Sequence, residues 1–63
     1  MSNSNGIKIL LAEDDSFLRE ICAKKLFNEG YEVIEAMDGE QALRGFVKNK
    51  IDIVLLDIIM PSV

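Results

Sequence analysis

Two hydrophobic rhythms alternate along this chain. Residues 7–12 read Ile7-Lys8-Ile9-Leu10-Leu11-Ala12, a short run rich in branched side chains, with Gly6 before it and acidic residues after. Such a run predicts a largely buried strand. From Ser16 the rhythm changes: Phe17, Leu18, Ile21, Cys22 and Leu26 recur at helical spacing, while Arg19, Glu20, Lys24 and Lys25 fill the positions between them. This predicts an amphipathic helix with the charged residues toward water and Cys22 buried as a small hydrophobe. Asp15 or Ser16 can cap its start, and Gly30 supplies the left-handed residue that commonly ends a helix. Residues 31–36 then alternate, with Tyr31 and Val33 on one side, Ile34 and Ala36 on the other, and charges that suit an edge strand. Asp38-Gly39-Glu40-Gln41 resembles a capping box and opens a second helix through Ala42, Leu43, Phe46 and Val47. Gly45 weakens that helix by about 1 kcal/mol relative to Ala, and it is expected to end near Lys48 or Asn49. Residues 51–57 form a third predicted strand, apolar on both faces at Ile53, Val54, Leu55 and Leu56 as at the centre of a parallel sheet, and closed by Pro61.

Strand, helix, strand, helix, strand with short connections is the pattern of two right-handed crossovers. The expected class is α/β, a parallel three-stranded βαβαβ sheet; if the second crossover returns past the first strand, the order is 2-1-3 and the helices lie on opposite faces. The switch point then lies between strands one and three, and ligands of open α/β sheets bind beyond the carboxyl ends of the strands at such a point. A chain of 63 residues forms one small domain at most, near the size at which folding buries only about 60% of the unfolded surface. Residues 1–6 are Ser/Asn-rich and uncharged, without the basic start and apolar stretch of a signal peptide, and read as a disordered tail. The single cysteine excludes an internal disulfide and suits a reducing compartment. The longest apolar tract, residues 51–60, is too short for a membrane span and holds two Asp. A cytoplasmic location follows as the expectation.

Eleven acids against seven bases give a net charge of −4, and no basic patch is available to follow a nucleic-acid backbone. The excess is matched in number by Glu13, Asp14, Asp15 and Asp57, all of which the predicted topology gathers at the carboxyl ends of strands one and three. Carboxylates brought together repel, so such a cluster is expected to bind a cation or hold a proton. Oxygen ligands select a hard ion. Mg²⁺ fits best, because it takes one or two carboxylates and keeps waters, whereas a chain without His and with one distant Cys offers nothing to zinc. Asp14, Asp15 or both could instead cap the first helix, and Asp15 is assigned to the cap. Asp57 interrupts the apolar run 53–60, where an ionised side chain costs several kcal/mol unless compensated. Beside a bound Mg²⁺, that carboxylate could attack a phosphoryl group to give an aspartyl phosphate.

Four segments resemble the bacterial response-regulator receiver domain of two-component signalling in order and spacing. They are Lys8-Ile9-Leu10-Leu11-Ala12-Glu13-Asp14-Asp15, Gly30-Tyr31-Glu32-Val33, Ala36-Met37-Asp38-Gly39-Glu40-Gln41-Ala42-Leu43, and Asp52-Ile53-Val54-Leu55-Leu56-Asp57-Ile58-Ile59-Met60-Pro61. The resemblance implies half of a flavodoxin-like doubly wound fold over residues 7–63. It implies Asp57 as phosphoacceptor, Glu13 and Asp14 as the acidic pair serving Mg²⁺, and Ile59 as a metal ligand through its backbone carbonyl. The implied partner is a histidine kinase, and the implied role is signalling rather than enzymatic turnover. A receiver of this family has five strands and five helices, so the resemblance reads this chain as truncated after its third strand. The Ser/Thr after the fourth strand and the Lys after the fifth, which contact the phosphoryl group in the family, have no counterpart here.

Two other readings stand beside this one. A phosphatase-like hydrolase could use Asp57, but the residue two positions on is Ile59 where such enzymes carry Asp-x-Asp. A self-associating structural fragment is the alternative from a different class. In order 2-1-3 the third strand is an edge, yet its sequence is apolar on both faces and carries nothing that blunts an edge. Homodimerisation through that strand is therefore expected to complete the fold. Antiparallel pairing is favoured, because it sends the two acidic clusters to opposite ends.

Overall fold

The computed structural model describes residues 6–56. They form β1 (Lys8–Ala12), α1 (Ser16–Asn28), β2 (Glu32–Ala36), α2 (Gly39–Lys48) and β3 (Ile53–Leu56). The sheet is parallel throughout, as the alternation of elements predicts, and its order β2-β1-β3 shows that the second crossover returns past the first strand. The tail expected at residues 1–6 lies outside the described residues except for Gly6, and so does the end of the third predicted strand.

The helix ends follow from local chemistry. Asp15 is the N-cap of α1, accepting from the N–H groups of Phe17 at 3.0 Å and Leu18 at 3.2 Å. This decides between Asp15 and Ser16, and it frees Asp14 from capping. At the other end Gly30 takes a φ of 99°, its N–H donates to the Phe27 carbonyl, and the N–H of Tyr31 reaches back to the Leu26 carbonyl. These are the two bonds of a Schellman cap, which needs a left-handed residue where they meet. Asp38 caps α2 through the N–H of Gln41 at 2.8 Å. The return bond departs from a true capping box, because the Gln41 side chain accepts from Met37 rather than from Asp38.

Successive residues of a strand point to opposite faces. Gly45 of α2 approaches Leu10 and Ile34, with an added Cβ meeting Leu10 Cδ1 at 3.2 Å. The glycine that weakens α2 as a helix is therefore what lets it lie close to the sheet. On this face Leu10, Ala12, Ala36 and Ala42 form a buried cluster, joined by the half-buried Ile34 and Ile51. The opposite face meets α1, which reaches Glu35 through Arg19 and buries Ala23. The two helices thus cover opposite faces, as the crossover rule requires, and both rest on β1 and β2.

Two expectations need correction. Cys22 is exposed, and so are Phe17, Leu18 and Ile21, which were expected to form the buried stripe. Of the expected stripe, Leu26 lies on the side of α1 that meets the sheet, where it is joined by Arg19 and Ala23. The reason is placement: α1 packs on β1 and β2 while no helix packs on β3 among the described residues, so apolar side chains away from the contact stay uncovered. Arg19, expected on the solvated face, is turned inward with a side chain only 18% exposed. As order 2-1-3 implies, β3 lies at an edge although it is written for a sheet centre, and all four of its residues are exposed.

The start of β3 is tied to β1 by a two-point hold on one residue. Asp52 donates its N–H to the Lys8 carbonyl at 2.8 Å, and its carboxylate accepts the Lys8 N–H at 2.8 Å. The register follows from there, running Ile9 opposite Ile53 to Ala12 opposite Leu56.

Candidate functional site

The carboxyl end of β1 passes directly into Glu13, Asp14 and Asp15, and the structure gives each a different task. Glu13 is buried. Its N–H donates to the Ala36 carbonyl at 3.0 Å, extending the pairing of β1 with β2 by one residue. Its carboxylate accepts the N–H of Asp15 at 2.9 Å, which offsets part of the penalty for burying a charged group. Asp15 is held as the helix cap. Asp14, between them, is exposed.

Arg19 closes the arrangement from α1. Its Nη1 donates to the Glu13 backbone carbonyl at 2.8 Å, and its Nε lies 3.4 Å from a Glu35 carboxylate oxygen on β2. Sequence reasoning placed Arg19 among the solvated charges and missed this. The available signal was its position four residues after the cap, within reach of a turn rich in carbonyl and carboxylate oxygens.

Of the sequence-derived site residues, Glu13 and Asp14 lie where the topology places them, beyond β1 at the switch point. Asp57 and Ile59 fall outside the described residues. The register brings Leu56 opposite Ala12, so the residues just before Asp57 and just before Glu13 are paired neighbours. Among the described residues no three possible metal ligands group together. The oxygen donors at this strand end nevertheless suit a hard cation, since Mg²⁺ is commonly held by one or two carboxylates with water completing its shell. Asp14 offers an exposed carboxylate for that purpose, while one oxygen of Glu13 is already occupied by a peptide N–H.

Comparison with known proteins decides the family. The response regulator receiver domain family matches residues 9–63. The chain belongs to the response regulator receiver family. It is 48% identical over 55 residues to the transcriptional regulatory protein CpxR of Escherichia coli, covering 87% of this chain and 23% of that protein. It is 41% identical over 56 residues to the CAI-1 autoinducer sensor kinase/phosphatase CqsS of Vibrio cholerae, covering 89% of this chain and 8% of that protein. The receiver domain of the hybrid histidine kinase CckA superposes with a TM-score of 0.79 at 43% identity, over 89% of this chain and 54% of that one. The receiver chain therefore spans about a quarter or less of these curated relatives and about half of that solved domain.

Membership makes this a domain of two-component signalling, and the observed three-stranded β2-β1-β3 sheet is half of the flavodoxin-like receiver fold. Receiver domains are phosphorylated by histidine kinases and act in signalling. Among the described residues no helix is long and apolar enough to cross a membrane.

Proposed function

We propose that this chain carries the phosphoryl-accepting corner of a receiver, with Asp57 as acceptor, a histidine kinase as donor, and Mg²⁺ held by Glu13, Asp14, Asp57 and the Ile59 carbonyl. The observation that supports this most directly is the exposed Asp14 carboxylate on a pinned turn beyond β1, beside the strand end that leads into Asp57. In the reaction a carboxylate oxygen of Asp57 forms a bond to phosphorus as the bond between phosphorus and the donor breaks. Bound Mg²⁺ would neutralise charge on the transferring oxygens. The chain's own part is to hold Asp14 at the switch point and to keep Asp15 occupied as a cap.

Acetyl phosphate, a small donor, tests the acceptor. Mass spectrometry of the 63-residue chain is expected to show a single phosphoryl adduct that is absent from Asp57→Asn. Labelling untouched by Asp57→Asn would remove Asp57 from the role. Mg²⁺ titration followed by backbone NMR should move resonances of residues 13–15, with weak affinity because an octahedral site needs rigid placement.

A second reading has its own support. All four residues of β3 are apolar and exposed, and β1 is its only strand neighbour among the described residues. An unblunted apolar edge pairs readily with another copy, so self-association through β3, antiparallel as expected above, would characterise a structural fragment without signalling activity. Sedimentation that depends on concentration, together with no response to Mg²⁺, supports that reading over phosphoryl acceptance.

A further inference from the structure

The peptide planes on either side of Asp14 are each held by a side chain. The Glu13 carbonyl belongs to the plane joining Glu13 to Asp14, and it accepts from Arg19 Nη1 at 2.8 Å. The Asp15 N–H belongs to the plane joining Asp14 to Asp15, and it donates to the Glu13 carboxylate at 2.9 Å. Because a peptide unit is planar, an anchor on one oxygen and one on an N–H restrain both planes and with them the two backbone angles of Asp14. An exposed carboxylate on a connecting turn is thus aimed by its neighbours.

We propose that Arg19 is a positioning residue that aims Asp14 through the Glu13 carbonyl without itself touching metal or phosphoryl group. As far as it concerns Mg²⁺, this rests on the metal site proposed above. The geometry calls for arginine. A guanidinium presents several N–H donors in one rigid plane, and here Nη1 serves the Glu13 carbonyl while Nε faces Glu35 across 3.4 Å. Glu35 lies on β2, so the sheet braces the guanidinium and the guanidinium braces the turn. A lysine ammonium has no such fork.

Charge and position make opposite predictions, which gives the test its force. Arg19 is a cation close to a proposed cation site, so on charge alone its removal should tighten Mg²⁺ binding. On positioning, removal should weaken it, and loss of a residue that orients metal ligands typically costs 10–100-fold in affinity.

The experiment compares the chain with Arg19→Met, Arg19→Lys and Glu35→Gln by Mg²⁺ titration and by metal-free amide shifts and hydrogen exchange. Arg19→Met is expected to weaken Mg²⁺ about tenfold, to move the metal-free amides of Asp14 and Asp15, and to speed their exchange while Ile9 and Val33 stay in place. Arg19→Lys, which keeps the charge, should lose affinity in the same direction and stands in if Arg19→Met does not fold. Glu35→Gln, which leaves the bond to the Glu13 carbonyl, should lose less than either. Equal or tighter Mg²⁺ binding in folded Arg19 variants, with the Asp14 and Asp15 amides unmoved, overturns the proposal. If the unmodified chain does not bind Mg²⁺, the metal reading fails by itself, and the metal-free amides still decide whether Arg19 holds the turn.

Discussion

β1 and β3 are nearly the same strand in composition, lie side by side and run in one direction, yet they inhabit different environments. Ile9, Leu10, Leu11 and Ala12 are between 1% and 7% exposed, whereas their partners Ile53, Val54, Leu55 and Leu56 are between 40% and 57% exposed. β1 has a strand on each side and both helices against it, while β3 has one strand neighbour and no helix among the described residues. Full burial of a large aliphatic side chain stabilises a fold by roughly 1.5–3 kcal/mol. Equal hydrophobicity therefore yields unequal stabilisation, because it is the neighbours that remove water from a side chain.

The strongest way to break this comparison is to put the same charge at register partners. Leu11→Lys would bury an unpaired ammonium, at several kcal/mol, and is expected to unfold the chain. Leu55→Lys, directly opposite, places its charge at an open edge and should retain the circular-dichroism spectrum of the unmodified chain. Equal loss of structure in both would show that β3 is as enclosed as β1.

Truncation gives a smaller contrast with the same logic. Leu10→Ala removes the largest fully buried side chain and should destabilise by about 2–5 kcal/mol. Val54→Ala, at the paired position, should stay within about 1 kcal/mol, since a half-exposed side chain forfeits much less. Urea unfolding curves compared at matched concentration measure both.

Next in size is the hold between the two strands. Asp52→Ala removes the carboxylate that accepts the Lys8 N–H, and a hydrogen bond to a charged group contributes roughly 1.5–3 kcal/mol, less at an exposed site such as this. Hydrogen exchange at Lys8 and Leu10 should quicken while the β1–β2 ladder at Ile34 keeps its protection. Protection lost equally on both sides of β1 would mean that the hold stabilises the whole sheet.

The smallest effects belong to the helix ends, which should be indifferent to the contrast between strands. Asp15→Ala is expected to cost about 1 kcal/mol through loss of the cap. Gly30→Ala should cost a further 1–2 kcal/mol or so, because its φ of 99° is unfavourable for a residue with a side chain. Thermal melts of each variant in the Leu55→Lys background should reproduce the same decrements, since these sites share no contact with β3.

Element types were legible because periodicity and capping are local. Asp15, Gly30 and Asp38 act within a few residues of themselves, and their chemistry can be read without knowing what lies opposite. The inner face of α1 was not legible. Phe17, Leu18, Ile21, Cys22 and Leu26 make a plausible apolar stripe on the sequence, but of these Leu26 alone lies on the side that meets the sheet, beside Arg19 and Ala23. The position of Arg19 depends on Glu35, which belongs to another element and is distant along the chain. At the candidate site the acids Glu13 and Asp14 were found from composition and topology. Their division into a buried anchor and an exposed ligand candidate was not, because it depends on which peptide N–H each carboxylate meets.

By itself the sequence determined the alternation of strands and helices, the caps that end the helices, and the gathering of acidic residues beyond β1, all consequences of short-range spacing and of the handedness of parallel crossovers. Tertiary structure alone decided which apolar residues are buried, that Arg19 turns inward to grip the Glu13 carbonyl, and that β3 lies open where β1 is enclosed. Burial and long-range hydrogen bonds are set by the elements that come to lie against a residue, and no local pattern contains that information.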